Sequence, residues 1–191
     1  AAGVTQVWVL DSTFNHPPER GIALLELLIE KAPHIHYHLE AKADFIERRT
    51  VALIGQLNCS VQLVLQSIHE QVLIAVHRPL GLDTLTEKVR LLAAEGIIYG
   101  FDLIYGLPQD NYAGFRDSLD TVLSFAPNHI HIFPLSILPG TRLAQQRDRY
   151  GIEAQPEPPY ELISSSNWTS EEMELCRRLS AAVDLFYNSG R

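Results

Sequence analysis

The stretch YGFDLIYGLPQD, Tyr99 to Asp110, decides how the rest of the chain is read. From Gly100 to Gly106 the residue type alternates at every second position, the mark of a strand with two unlike faces. Phe101, Leu103 and Tyr105 take one face, and Gly100, Asp102, Ile104 and Gly106 take the other. A carboxylate beside glycines on a buried face is costly unless something polar or cationic meets it, and glycines let a ligand approach the backbone. The turn Leu107 to Asp110 then leads into a helical segment, as at the carboxyl end of a barrel strand that carries a ligand. A core strand whose Asp102 is satisfied by neighbouring backbone is the other reading of the same residues.

Working outward, the same alternation returns elsewhere. Val7 to Leu10 is a short apolar strand running into the polar turn Asp11 to Asn15, and Pro17 and Pro18 suit the start of a helix with Leu24, Leu25, Leu28 and Ile29 on its stripe. His34 to Asp44 puts Ile35, Tyr37 and Leu39 on one face and His36, His38, Glu40 and Lys42 on the other, so the polar face is expected to line a wet cavity. A helix is expected over Phe45 to Leu57, a third strand over Val61 to Ser67 with Gln62 and Gln66 on one face, and a short helix over Glu70 to Val76. Thr84 and Glu87 have the spacing of a capping box ahead of a helix that Gly96 ends. Phe115 to Phe125 reads as the next helix and His129 to Phe133 as the fifth strand. Strands separated by helices predict parallel β/α units, and the polar faces favour an open or partial barrel with strands in chain order. Residues 1–145 are expected to form that barrel and 146–191 a linker and helix that packs on it. Gly151 to Tyr160 reads as an extended linker, and Thr169 with Glu172 as a second capping box.

Bulk properties narrow the function classes. Among 191 residues 46% are hydrophobic, the composition of a soluble globular chain. A net charge of −8 without a basic run speaks against nucleic-acid binding. No apolar run reaches the ~18 residues of a membrane span, and Ala1 to Thr5 is no signal peptide. Cys59 and Cys176, far apart, fit a reducing, cytoplasmic compartment. A start without Met, almost directly on a strand, suggests an excised piece of a longer protein.

Three motifs in order carry a family resemblance. Leu65 to Arg78, LQSIHEQVLIAVHR, Gly100 to Pro108, GFDLIYGLP, and Ile132 to Thr141, IFPLSILPGT, resemble the later strands of the radical S-adenosylmethionine (SAM) core. The resemblance implies an α/β fold, a partial (β/α)6-type barrel lacking its first strand, with a C-terminal helical extension. It implies that Gln66 and Asp102 bind the SAM ribose hydroxyls, that Arg78 binds the methionine carboxylate, and that Glu40 contacts the methionyl end. Asp11, Ser12 and Thr13 fall where the family has a glycine-rich turn at the SAM amino group, although the glycines are missing here. Ile104 would pack on adenine, with backbone around Phe133 and Pro134 bonding its edge. The family's [4Fe–4S] cluster needs a cysteine trio that Cys59 and Cys176 do not supply, so this chain is expected to be inert alone. The segments Gln155 to Glu161 and Tyr187 to Arg191 resemble members with an N-terminal cobalamin-binding domain, related to anaerobic magnesium-protoporphyrin monomethyl ester oxidative cyclases. The resemblance thus implies a parent that cleaves SAM reductively to a 5'-deoxyadenosyl radical and acts on a small molecule as an oxidoreductase or methyltransferase.

Two other readings stand beside it. His34, His36 and His38 could ligate a metal in a barrel hydrolase, and the fold could serve only as a binding module. His129 and His131 are read as packing or hydrogen-bonding residues, and Cys59 and Cys176 as buried small apolar ones. With the first barrel strand missing, Val7 to Leu10 would be an unprotected edge that invites an edge-strand dimer.

Overall fold

The computed structural model describes residues 3–11, 13–78 and 80–189. Ser12, one of the expected site residues, lies outside them. Elements alternate as the sequence patterns require: β1 (Gln6–Val9), α1 (Pro18–Lys31), β2 (His36–Ala41), α2 (Arg48–Ile54), β3 (Cys59–Gln66), α3 (Glu70–Ala75), α4 (Leu82–Ala94), β4 (Ile98–Tyr105), α5 (Tyr112–Ser124) and β5 (His129–Pro134). They continue with α6 (Arg142–Gln145), α7 (Arg147–Tyr150), β6 (Glu153–Ala154), β7 (Leu162–Ser164) and α8 (Ser170–Val183), which runs on into a wider turn of helix over Asp184–Asn188. The larger sheet has five strands in the order β1-β2-β3-β4-β5, as a run of β/α units demands. β1 and β2 run parallel with Trp8 opposite His38, and β2 and β3 run parallel with Glu40 opposite Gln62.

Two compact units divide the chain. The first comprises Ala1–Leu65, Leu80–Asp102 and Pro127–His129. Within it α1 packs on α2, and α4 packs on α2 and on the short 3-10 turn Ala43–Phe45. Tyr37, Leu39, Val61, Leu63 and Phe101 are buried with Leu25, Val51, Ile54, Leu85 and Leu92 from these helices, while the alternate strand positions Glu40, Gln62 and Asp102 are only partly covered. The second unit comprises Gln66–Pro79, Leu103–Ala126 and Ile130–Arg191. Its core holds Leu103, Tyr105, Phe115, Leu119, Val122, Trp168, Met173 and Cys176. Trp168 is buried to 1% exposure and its indole Nε1 donates to the Leu107 carbonyl at 3.0 Å. Gly106 must be glycine: its φ is +92°, and a Cβ there would lie 2.9 Å from Leu162 Cδ2. The tail is tied down by Asn188, whose side chain bonds both backbone groups of Ile130, at 3.0 and 2.9 Å.

Several expectations need correction. The helix expected over Phe45 to Leu57 is a 3-10 turn and then the shorter α2. Thr84 caps nothing: α4 already begins at Leu82 behind Gly81, without a side-chain cap, so Thr84 sits inside the first turn. Gly96 does end that helix, with φ +65°. The stretch expected to be a linker contains β6, which pairs antiparallel with β7. The box at Thr169 and Glu172 is complete in both directions, and Asn111, unpredicted, caps α5 by accepting from the Gly114 amide at 3.0 Å. Among the described residues no helix is long and apolar enough to cross a membrane.

Replacing Trp168 by Ala is expected to destabilise the protein by ~3–5 kcal/mol, because it empties a buried indole volume and strands the Leu107 carbonyl. Urea unfolding of wild type and variant measures this; a loss below about 1 kcal/mol would show that the site collapses or that the indole is not a core element.

Candidate functional site

In the first unit, alternation on neighbouring strands brings a polar row together. Gln62 Nε2 donates to Asp102 Oδ1 at 2.6 Å. Gln62 Oε1 is in turn in a short contact with His129 Nε2, which must donate because the amide oxygen can only accept. Gly100 makes this row possible, since a Cβ there would lie 2.5 Å from His129 Nε2 and 2.6 Å from Gln62 Oε1. Asp102 is therefore met by a side-chain amide rather than by backbone alone. Glu40 lies opposite Gln62 on β2, and its carboxyl is pushed above the usual carboxylate range, chiefly by desolvation and further by the Asp102 charge. Of these residues, sequence reading singled out Glu40 and Asp102 as ligand contacts; Gln62 had only the face it shares with Gln66 as a signal, and His129 was read as a packing or hydrogen-bonding residue.

The histidines of β2 have their own partners. His38 Nδ1 is 2.9 Å from Ser60 Oγ, His36 Nδ1 is 2.8 Å from Asn58 Oδ1, and the Trp8 ring stacks on His38 at 3.8 Å. Burial holds the His38 imidazole below its ordinary value, and the neighbouring His36 adds to this. Among the described residues no group of three or more His, Cys, Asp or Glu is placed to hold a metal ion. Asp11 is engaged by Arg20 in a close ion pair and accepts from the Thr13 amide at 3.2 Å; the Arg20 hydrogen bond, then the Thr13 one, pulls its carboxyl below the usual range.

The second unit places the other expected residues. Gln66 ends β3 with φ +70°, a left-handed conformation that a non-glycine residue adopts only under constraint. Its Oε1 is buried and accepts no hydrogen bond. With Ile104, Leu107, Leu135, Thr141 and Arg142 it lines a cavity of about 270 Å³. Arg78 likewise has a buried Nη1 without a partner, while its backbone amide is held by the Leu73 carbonyl at 2.8 Å. Phe133 is 48% exposed and Pro134 closes β5. Both thiols are buried; desolvation pushes Cys59 to about 11 and Cys176 to about 12, so neither offers a thiolate near neutral pH. Asp110 is buried with Oδ2 unpartnered; desolvation raises its carboxyl despite a bond from the Asn111 amide and the nearby His69.

This arrangement of strands is that of a partial radical SAM barrel, a fold shared with two solved structures. One is the radical SAM methyltransferase TsrM from Kitasatospora setae, with cobalamin and [4Fe–4S] cluster bound (TM-score 0.70, 14% identity, 83% of this chain and 34% of that one). The other is the radical SAM enzyme coproporphyrinogen III oxidase from Escherichia coli (TM-score 0.66, 18% identity, 95% of this chain and 40% of that one). In sequence, the chain is 34% identical over 170 residues to the cobalamin-dependent radical SAM methyltransferase TokK of Streptomyces tokunonensis, which covers 82% of this chain. The relatives and structural neighbours of the chain are thus radical SAM enzymes, cobalamin-dependent ones among them. It spans 25% of the length of TokK. No family model matches it.

The raised Asp110 carboxyl has a consequence for stability. A folded-state value above the unfolded one contributes stability that is fully present below the unfolded value and lost as pH rises through the folded one. Asp110→Asn should therefore flatten that part of the profile, and its stability relative to wild type should improve from pH 3 to pH 7, measured by urea unfolding at about these two values. An unchanged difference between the two pH values would show that Asp110 titrates normally.

Proposed function

We propose that this chain is the SAM-binding part of the catalytic core of a radical SAM enzyme. The observation that carries the reading is Gln66: a buried, unpartnered acceptor, held in a left-handed backbone, at the wall of a cavity that also presents Ile104. A buried polar atom without a partner calls for a ligand, and a hydroxyl donor such as a ribose supplies one. The residue types proposed for the rest of SAM have the chemistry its groups need. Arg78 Nη1 is a buried donor for a carboxylate, Asp102 is an acceptor for a second ribose hydroxyl, and Glu40 is an acceptor for the methionyl end. Ile104 offers an apolar surface to adenine, with the backbone of Phe133 and Pro134 at its edge. Asp11 and Thr13 would approach the amino group only if Arg20 shared its carboxylate partner.

When bound, a [4Fe–4S] cluster supplies the electron for reductive cleavage of SAM. Its thiolates would come from outside these residues, since Cys59 and Cys176 are buried and protonated, and the chain by itself would be inactive. The similarity to TokK favours a cobalamin-assisted methyl transfer on a small-molecule substrate, with a cobalamin-binding domain in the same polypeptide and a cytoplasmic setting; an oxidative, cyclase-like outcome is the second form of the same chemistry.

In the intact, cluster-reconstituted protein, Asp102→Ala and Arg78→Ala should each weaken SAM binding by roughly 1.5–3 kcal/mol, the scale of hydrogen bonds to charged groups. Calorimetry reads this directly. Unchanged affinity in both variants would remove the residue assignments.

A further inference from the structure

Beside the Gln66 cavity, within the second unit, lies a larger groove of about 550 Å³. The two share Ala75, His77, Arg142 and Gln146. Arg142, Arg149, His77, Gln71, Gln109 and Gln146, all with hydrogen-bonding side chains, line it, and none of its lining residues is acidic. That runs against the composition of the chain, which has 23 acidic residues to 15 basic ones.

How the two arginines are held separates them from the ion-paired ones. Arg20, Arg49, Arg177 and Arg178 each meet a carboxylate. Arg142 instead donates from Nη1 to His77 Nε2 at 2.9 Å. The receiving nitrogen must carry the lone pair, so His77 is the neutral Nδ1–H tautomer and positions the guanidinium without cancelling its charge. Arg149 lies over the Tyr150 ring, 5.2 Å from its centre, again an uncharged partner. Among the described residues neither arginine enters an ion pair, so the lining of one groove carries two positive charges with no carboxylate in contact. Two lining residues hold left-handed backbones for local reasons: His77 (φ +59°) caps the end of α3, and Gln109 (φ +67°) lies in the turn closed by the Asp110 amide on the Leu107 carbonyl.

The geometry points to an oxyanion site: the groove takes a carboxylate or phosphate group of the substrate, next to the ligand in the Gln66 cavity. The substrate assignment rests on the radical SAM reading, in which Arg78 already takes the carboxylate of SAM; the anion site itself does not. Guanidinium forks and amide donors suit such groups, and the neutral surroundings leave the attraction unquenched.

The test begins with the protein and inorganic phosphate, with malonate as the carboxylate arm, at constant ionic strength. Amide and side-chain NMR shifts should saturate at Ala75, His77 and Gln146, and Arg142→Gln/Arg149→Gln should weaken binding at least about tenfold, as expected for losing charge-assisted bonds. Arg116→Gln, on α5 outside the groove, should bind as wild type does. Should the double variant misfold by circular dichroism, Arg149→Gln alone serves and should still weaken binding. Shifts that never saturate, or saturate equally in the arginine variants, would overturn the site. In the intact enzyme Arg149→Gln, at a residue that lines the groove but not the Gln66 cavity, should raise KM for substrate and leave SAM affinity unchanged. An equal loss of SAM affinity would overturn the substrate assignment and give the groove to the cofactor. Absence of any SAM binding by the intact wild type would overturn that assignment together with the radical SAM reading, while the phosphate titration would still decide the anion site.

Discussion

The carboxylate of Asp102 constrains a row of residues in the first unit: Gln62, His129 and Gly100. A partly buried anion must be met by donors, and the Gln62 amide donates at 2.6 Å. Once that nitrogen is committed, the amide oxygen faces His129, whose Nε2 has to carry the proton. Once both side chains occupy that space, the neighbouring backbone position can carry no Cβ, and it is Gly100. One charge thereby decides an amide orientation, an imidazole tautomer and a glycine. Because Gln62 lies opposite Glu40, the same row also brings a second carboxylate close enough for its acidity to be affected by Asp102.

The second unit shows the opposite treatment of polar atoms. Gln66 Oε1, Arg78 Nη1 and Asp110 Oδ2 are buried without partners. Folded chains satisfy nearly all such atoms, so exceptions mark places where local stability has been given up. Gln66 adds a left-handed backbone to its unsatisfied oxygen. The two departures at one residue have one explanation if a ligand completes the site, and the lining of the cavity by Ile104 and Leu135 says that part of that ligand is apolar. Arginines follow the same logic. Arg49 and Arg178 pair with carboxylates on exposed faces where such pairs contribute little, whereas Arg142 and Arg149, also exposed, meet the uncharged partners His77 and Tyr150.

What the sequence by itself determined was the order and kind of the main elements and the face on which polar residues lie. The alternation in β2 and β4, the box at Thr169 and Glu172, and the motifs around Gln66 and Asp102 depend on near neighbours, and near neighbours are what a sequence displays. The same locality misled at Thr84, where spacing suited a cap but the chain had already turned into helix at Leu82. It also hid β6, two residues long, in a proline-rich stretch too short to show a period. Only the tertiary structure decided that Gln62 would serve Asp102, 40 residues away, and His129, 67 residues away. It alone aimed Arg142 from His77 across 65 residues. Such partners are set by strand register and by where separate elements pack, and those depend on the whole apolar core rather than on any run of adjacent residues.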